Sequence, residues 1–401
     1  KPTDFKNNEI LMSAFSPGGH SNYADDDYRN ASFAASVIDA SGIGAFSATA
    51  LNKKLAGKSV GVGPYIGELG EGFRGNSTVE DLETLFQLLY LYFTAPRKDL
   101  DALKSIQTRQ KNIMQNILTN PYYYFGEEKN KLKYQNHPRR SMLTVEELDA
   151  LDIEEIYRIY QDRFADASDF TFVFVGNFEI AKIKPLLQRY LATLPSTNRE
   201  ESWKDVGVHL AKGTIEKTWN RGEAQKALVE VIYHGAFDYA SRQKRYDFYS
   251  LMSLVRIKLR EAMREDKGGV YGVRVSGFLS AKPTQSYRIT ISFNCEPARV
   301  EELLQTAKAE LEQLKEEGPE AKDLAKVQET QRQGRIKSLQ ENGFWLGQLR
   351  SRIENRLPLE HILMEPYEKL VNGLQGDALQ RVAKDYFGGA NQMQFILYPE
   401  Q

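Results

Sequence analysis

One stretch of the sequence sets out groups that could do chemistry together: Lys258-Leu-Arg-Glu-Ala-Met-Arg-Glu-Asp-Lys-Gly-Gly-Val-Tyr-Gly-Val273. Helical periodicity runs to Arg264, the pair Gly268-Gly269 stops it, and a strand pattern opens with Tyr271 at its mouth. The spacing predicts that Arg264, in the last helical turn, and Tyr271, at the strand start, meet across a tight connection. A guanidinium and a phenolic hydroxyl held side by side offer a fixed cation and a hydrogen-bond donor, suited to holding a carbonyl or an oxyanion. An ordinary reading stands beside this one. Arg at a helix C-terminus complements the helix dipole, and Tyr is a good strand residue.

Other chemistries lack their parts. Zinc sites need closely spaced His, Cys, Asp or Glu, usually two on one helical face. The five histidines, His20, His137, His209, His234 and His361, are scattered, and neither His-Glu-x-x-His nor His-x-x-Glu-His occurs. His361 and Glu365 are an i, i+4 pair beside Pro358 and Pro366, which reads as a surface helix end. The sequence has no Gly-x-Ser-x-Gly elbow, phosphate-binding loop or dinucleotide fingerprint. Cys295 is the single cysteine, ends a strand with no His nearby, and reads as structural.

The elements that must position Arg264 and Tyr271 follow from the apolar pattern. Strands are expected at Glu9–Phe15, Ser59–Gly67, Phe170–Gly176, Ala227–Tyr233, Val270–Phe278, Tyr287–Asn294 and Gln394–Tyr398. Helices are expected at Val79–Thr94, Leu100–Leu118, Val145–Phe164, Ile180–Leu194, Arg242–Arg264, Ala298–Glu316, Glu320–Gln340 and Gly376–Phe387. Pro96 and Gly318-Pro319 separate helix pairs, since Pro begins a helix but does not continue one.

The two halves match at a nearly constant offset of about 223 residues, as a duplication does. Ile156–Phe164 lies over Leu379–Phe387, the strand Phe170–Val175 over Met393–Tyr398, Val79-Glu-Asp-Leu82 over Val300-Glu-Glu-Leu303, and Pro96 over Pro319. The order strand, helix, Pro, helix, short helix, strand recurs. The reading is therefore two homologous α+β domains, residues 1–208 and 209–401, each a mixed or antiparallel sheet backed by helices. A length of 401 residues suits two such cores. Lys plus Arg (53) nearly cancel Asp plus Glu (54), leaving a net charge of −1 and none of the basic excess that nucleic-acid binding needs. The longest apolar stretch, near Leu85–Phe93, falls far short of the ~20 residues that span a bilayer. The chain begins abruptly at Lys1 and is expected to be a piece of something longer.

The segment Arg264-Glu-Asp-Lys-Gly-Gly-Val-Tyr271 resembles the Arg-Glu-x-x-Gly-x-x-Tyr motif of the insulinase/pitrilysin family of zinc metallopeptidases. The resemblance covers essentially the whole chain. Leu143–Leu148, Tyr160-Gln-Asp-Arg-Phe164 and Phe172-Val-Phe-Val-Gly-Asn-Phe178 look like that family's run of helix, chain crossing and strand, and Phe15-Ser-Pro-Gly-Gly19 like its opening strand and turn. Members carry four homologous domains, two in each half. The active half bears His-x-x-Glu-His on an early helix and a further Glu downstream. Here the matching helix is Asn30–Val37, with Ser32, Ala35 and Ser36 where His, Glu and His would stand, and residues 101–126 contain no Glu.

The resemblance implies the C-terminal half, which binds no metal. In it Arg264 and Tyr271 would hold the substrate backbone near the scissile bond and its tetrahedral intermediate. The expected partners are the N-terminal catalytic half, which would bind the zinc, and a peptide or unfolded polypeptide. The chain alone is expected to be inactive. A second implied role is a non-catalytic subunit or scaffold, like the inactive processing-peptidase subunits; the intact Arg264/Tyr271 motif favours the first. The resemblance also implies a bacterial envelope or periplasmic setting.

Overall fold

A computed structural model of the chain describes residues 1–117, 119–266 and 270–400, apart from the side chains of residues 265, 266 and 271. In chain order the first elements are β1 (Ile10–Pro17), α1 (Tyr28–Ser41), α2 (Ala48–Lys54), β2 (Val60–Ile66), β3 (Gly70–Ser77) and α3 (Leu82–Thr94). Next come α4 (Leu100–Ile117), α5 (Pro121–Lys133), α6 (Val145–Asp149), α7 (Ile153–Arg163), β4 (Thr171–Gly176) and α8 (Ile180–Leu186). The second series is β5 (Thr214–Asn220), β6 (Ala227–Ala236), α9 (Arg242–Arg260), β7 (Val270–Ser280), β8 (Ser286–Cys295) and α10 (Val300–Glu316). It ends with α11 (Ala321–Ser338), α12 (Asn342–Glu354), α13 (Met364–Gly373), α14 (Gly376–Phe387) and β9 (Gln392–Tyr398).

The chain forms two compact units. Unit 1 comprises Lys1–Asn116, Met142–Gly207 and Ser338–Leu359; unit 2 comprises Ile117–Ser141, Val208–Lys337 and Glu360–Gln401. The expected contiguous spans of 1–208 and 209–401 thus exchange two segments, one carrying α5 and the other α12. The cause is the outer face of each sheet. It is too apolar to be left in water, and the cover comes from a helix in the other span.

In unit 1 the sheet order is β2-β3-β1-β4, all antiparallel. Alternation on β1 sends Ile10, Met12 and Ala14 to one face, where they pack with Ile38 of α1, Phe86 and Leu89 of α3 and Tyr160 of α7. On the other face, Phe15, Val173 and Val175 meet Trp345, Leu346 and Leu349 of α12. Full burial of one such side chain stabilises by roughly 1.5–3 kcal/mol, which is what holds a sequence-distant helix in place.

Unit 2 repeats the plan with one more strand, in the order β5-β9-β6-β8-β7, where β5 and β9 are parallel. Its inner face packs Val229 and Val231 against Phe248, Leu251 and Val255 of α9. Its outer face packs Phe395 and Trp219 against Phe125 of α5. These are two antiparallel or mixed sheets backed by helices, as the sequence predicts.

Local differences have physical reasons. The expected helix Val145–Phe164 is two helices, because Asp152 caps the second by accepting from the Glu154 amide at 2.8 Å. Strands β3 and β5 escaped the apolar pattern, the first because Gly70, Gly72 and Gly75 interrupt it, the second because it reads Thr-Ile-Glu-Lys-Thr-Trp-Asn.

Candidate peptide-binding site

The site begins with the anchoring of α9. Ser241 caps its start, accepting from the Lys244 amide at 3.2 Å, and Phe248, Leu251 and Val255 bury its inner stripe. Gly277 on β7 lets the helix lie flat on the strand: a Cβ there would sit 2.6 Å from Phe248 and Met252 atoms. Near its C-terminus, Lys258 lies 3.7 Å from Glu310 and 3.8 Å from the fully buried Asp323, while Glu261 pairs with Lys326 at 3.0 Å. The axis of the helix is therefore fixed by α10 and α11 just before the motif.

Beyond Arg260 the helix widens into a π-helical turn, Glu261–Asp266, with Ala262 and Met263 buried and Arg264 exposed. The widening changes which residues face outward, so Arg264 leaves the core while its neighbour Met263 stays in it. On the far side, β7 starts at Val270 on the free edge of the sheet. Its pairing with β8 slips between Val270, opposite Cys295, and Val273, opposite Phe293. This bulge sits at Tyr271 and Gly272, and bulges re-aim side chains at sheet edges. The Gly268-Gly269 turn and the Tyr271 side chain lie outside the described residues. What is described is the frame: an anchored helix end carrying an exposed guanidinium, followed closely by a bulged edge strand. A cavity of about 360 Å³ reaches Gly272 and is lined by Phe125, Lys129, Glu230 and Phe293, with Lys129 and Glu230 paired at 2.8 Å.

The positions that resemble a lost zinc motif lie on α1. Ser32 and Ser36 donate to the carbonyls of Arg29 and Phe33, both at 2.9 Å, and Ala35 is buried. These residues do not fit a metal: two hydroxyls return to their own helix and the third position has no donor. No group of three or more His, Cys, Asp or Glu that could hold a metal ion occurs among the described residues. Of the other groups noted in the sequence, Glu365 pairs with Lys369 at 2.9 Å on the surface. Cys295 is buried, and burial pushes its thiol up to about 11.

Sequence reasoning missed a buried charge cluster in unit 1. Glu71 on β3 is fully buried, accepts from the Gly19 amide at 2.5 Å and lies 3.8 Å from Arg163. Burial pushes its carboxyl up to about 8, against the opposing pull of Arg163 and the Gly19 amide. Arg163 also forks onto Glu201 with two bonds of 2.8 Å, and Asp166 accepts from Thr197 and from the Arg199 amide. These bonds clasp residues 197–201 to the rest of unit 1. The available signal was a Glu between two glycines in an extended stretch, which is weak.

Residues 150–331 match the family described as the peptidase M16 inactive domain. The probable zinc protease PqqL of Haemophilus influenzae is 29% identical over 299 residues, which cover 74% of this chain and 31% of that protein. The chain thus spans only about a third of the length of the curated relatives it matches, between 29% and 36%. The crystal structure of the periplasmic protease PqqL from Escherichia coli superposes with a TM-score of 0.85 at 18% identity, over 100% of this chain and 44% of that one. A peptidase M16 inactive domain from Pseudomonas fluorescens superposes with a TM-score of 0.75 at 16% identity, over 98% of this chain and 93% of that one. The motif at the end of α9 falls within the matched segment, and the chain is homologous to PqqL-like zinc proteases and, over residues 150–331, to the peptidase M16 inactive domain.

Proposed function

We propose that this chain is the substrate-binding, chamber-forming half of a zinc-dependent endopeptidase, with Arg264 and Tyr271 holding the peptide near the bond to be cut. The observation that carries this reading is the motif itself. An intact Arg-Glu-x-x-Gly-x-x-Tyr lies at an anchored helix end and a bulged edge strand, inside the segment that matches the inactive domain. A scaffold has no need of an exposed guanidinium at that place.

The chemistry follows from the two groups. Arg264 donates to a peptide carbonyl in the ground state. The Tyr271 hydroxyl donates to the same region and binds more strongly as the carbonyl oxygen gains negative charge. That difference between states, rather than tight binding as such, accelerates a reaction. The zinc and the water it activates would be supplied by the other half, since no residue matched to the zinc motif here is a ligand. The relatives' description as zinc proteases and as a periplasmic protease supports the same partner half and a periplasmic setting. No helix among the described residues is long and apolar enough to cross a membrane.

Steady-state kinetics on the two halves combined test the proposal. Tyr271→Phe is expected to lower turnover by roughly 10²–10³ with little change in melting temperature or peptide affinity, the usual cost of losing one such donor. Arg264→Ala is expected to weaken binding as well. Wild-type turnover in a folded, zinc-loaded Tyr271→Phe enzyme would show the motif to be structural.

A further inference from the structure

In unit 1, α12 covers only part of the outer sheet face. It lies over β1 and β4, and between it and the outer side of β2 and β3 runs an open trough of about 740 Å³. That volume is in the range of ligand pockets, roughly 300–1,000 Å³. The sequence keeps it empty. Along its floor β2 presents Gly61 and Gly63, and along its wall α12 presents Gly343 and Gly347. A Cβ added at Gly63, Gly343 or Gly347 would meet nothing within 4 Å, and at Gly61 it would only touch Asn76 at 3.4 Å. Side chains would fit at these positions, yet all four lack one.

The charged groups in the trough are two arginines, Arg74 and Arg350, and one carboxylate, Asp39, which accepts from the Tyr92 hydroxyl at 2.5 Å. Arg74 stands on the outer face of β3, opposite both Ser13 and Gly63, with its guanidinium 5.1 Å from the centre of the Tyr65 ring. Arg350 of α12 lies 5.3 Å from the centre of the same ring and donates to the Tyr65 hydroxyl at 2.8 Å. Two like charges thus gather on one phenol. Arg350 has a carboxylate partner, Glu354 at 3.3 Å; among the described residues Arg74 forms no ion pair. Arg74 is thus the guanidinium left without a carboxylate, and guanidinium forks match carboxylates in geometry.

We propose that this trough binds an acidic peptide segment, laid along the β2 glycines with a carboxylate between Arg74 and Arg350. The glycines set the shape, since main chain can lie against main chain there. The arginines and the Tyr65 hydroxyl set the charge preference. The site belongs to unit 1 and does not depend on Arg264, Tyr271 or a zinc-bearing half, so its test is separate from that of the proposed function.

The test is fluorescence anisotropy on this chain, with a labelled heptapeptide carrying glutamate at alternate positions and its glutamine counterpart. The glutamate peptide is expected to bind about tenfold more tightly, as charge-assisted bonds to arginine imply. Arg74→Gln should erase that preference. Gly347→Leu fills the trough from a position open to space and replaces a helix-interior glycine, so it should abolish binding without lowering the melting temperature. Gly63→Val gives the same block from the opposite side if Gly347→Leu fails to fold. Equal affinity for the two peptides, full binding by a folded filled variant, or displacement of the peptide by equimolar inorganic phosphate would each overturn the proposal.

Discussion

Unit 1 and unit 2 present the same mouth, where the helix after the central strand gives way to the edge strand, in two chemical states. In unit 1 the approach to β2 is self-satisfied. Asp81 takes Lys58 at 2.9 Å and the Ser59 amide at 2.8 Å, and the α1 serines bond back to their own helix. In unit 2 the helix is longer, 19 residues against 14, runs on into a π-helical turn and ends with an exposed arginine beside a bulged strand. Buried residues such as Phe164 and Phe387 set the frame and are kept in both copies. Exposed residues at the mouth add little to folding, so they are free to diverge toward or away from chemistry. The same plan of sheet and helices can therefore carry different chemistry at its mouth without a change of fold.

The strongest way to break this comparison is through the shared frame. Phe164 packs on the rings of Phe73, Tyr160 and Phe170 with centroids 4.7, 4.5 and 5.9 Å away, and Phe387 on Tyr233 at 5.1 Å. Truncation of a buried Phe to Ala typically costs about 3–5 kcal/mol. Phe164→Ala is expected near the top of that range and Phe387→Ala near the bottom, since it touches fewer rings. Urea unfolding followed by a probe in each unit measures both. A negligible loss at either position would mean that the two helices do not play equivalent parts.

These two positions also show what the sequence made legible. The 223-residue offset pairs Phe164 with Phe387 and both are core residues. One strand later it pairs Phe172 with Phe395, and these point to opposite faces. Phe172 packs with Phe93 and Phe170 on the helix side, whereas Phe395 packs with Trp219 and Phe125 on the outer side. A slip of one residue reverses every side chain of a strand, and a loop shortened by an odd number is enough to cause it. The helices α5 and α12 were illegible for another reason. In Tyr122-Tyr-Tyr-Phe-Gly126 and Gly343-Phe-Trp-Leu-Gly347 the bulky residues are consecutive and form no single stripe. The motif at Arg264 was legible because it is local in sequence. The trough was not, since Gly63, Arg74 and Arg350 come from three separate elements.

A second contrast lies at the start of the strand next to the edge. The second residue of β3 is Glu71 and that of β8 is Tyr287, both buried. Glu71 has an ordinary value of 4.5 and is pushed up to about 8 by burial. Between these values the folded chain holds a proton that the unfolded chain has released. The stabilisation is complete below about pH 4.5 and is lost as pH rises toward 8, on a scale of about 1.4 kcal/mol for each pH unit before any discount for the nearby Arg163. Glu71→Gln should flatten this slope and raise stability at pH 8 and above, because Gln still accepts from the Gly19 amide but carries no charge. Denaturation midpoints at pH 5, 7 and 9 decide it, and parallel curves for the two proteins would exclude a neutral Glu71.

The finest test compares the two exchanged helices. Gly126 lies mid-helix in α5 of unit 2 and Gly347 mid-helix in α12 of unit 1, and a Cβ at either would meet nothing within 4 Å. Glycine there costs backbone entropy and contributes no contact, so Gly126→Ala and Gly347→Ala should each stabilise by about 0.5–1 kcal/mol. Equal gains would mean that neither glycine serves folding. The two substitutions should then part in the peptide assay, because only Gly347 borders the trough. Gly126→Ala should leave the glutamate peptide's affinity unchanged, and Gly347→Ala should lower it modestly by narrowing one wall. If Gly347→Ala instead destabilises while Gly126→Ala does not, the glycine in unit 1 serves packing against its own sheet, and the openness of the trough is a by-product of the fold.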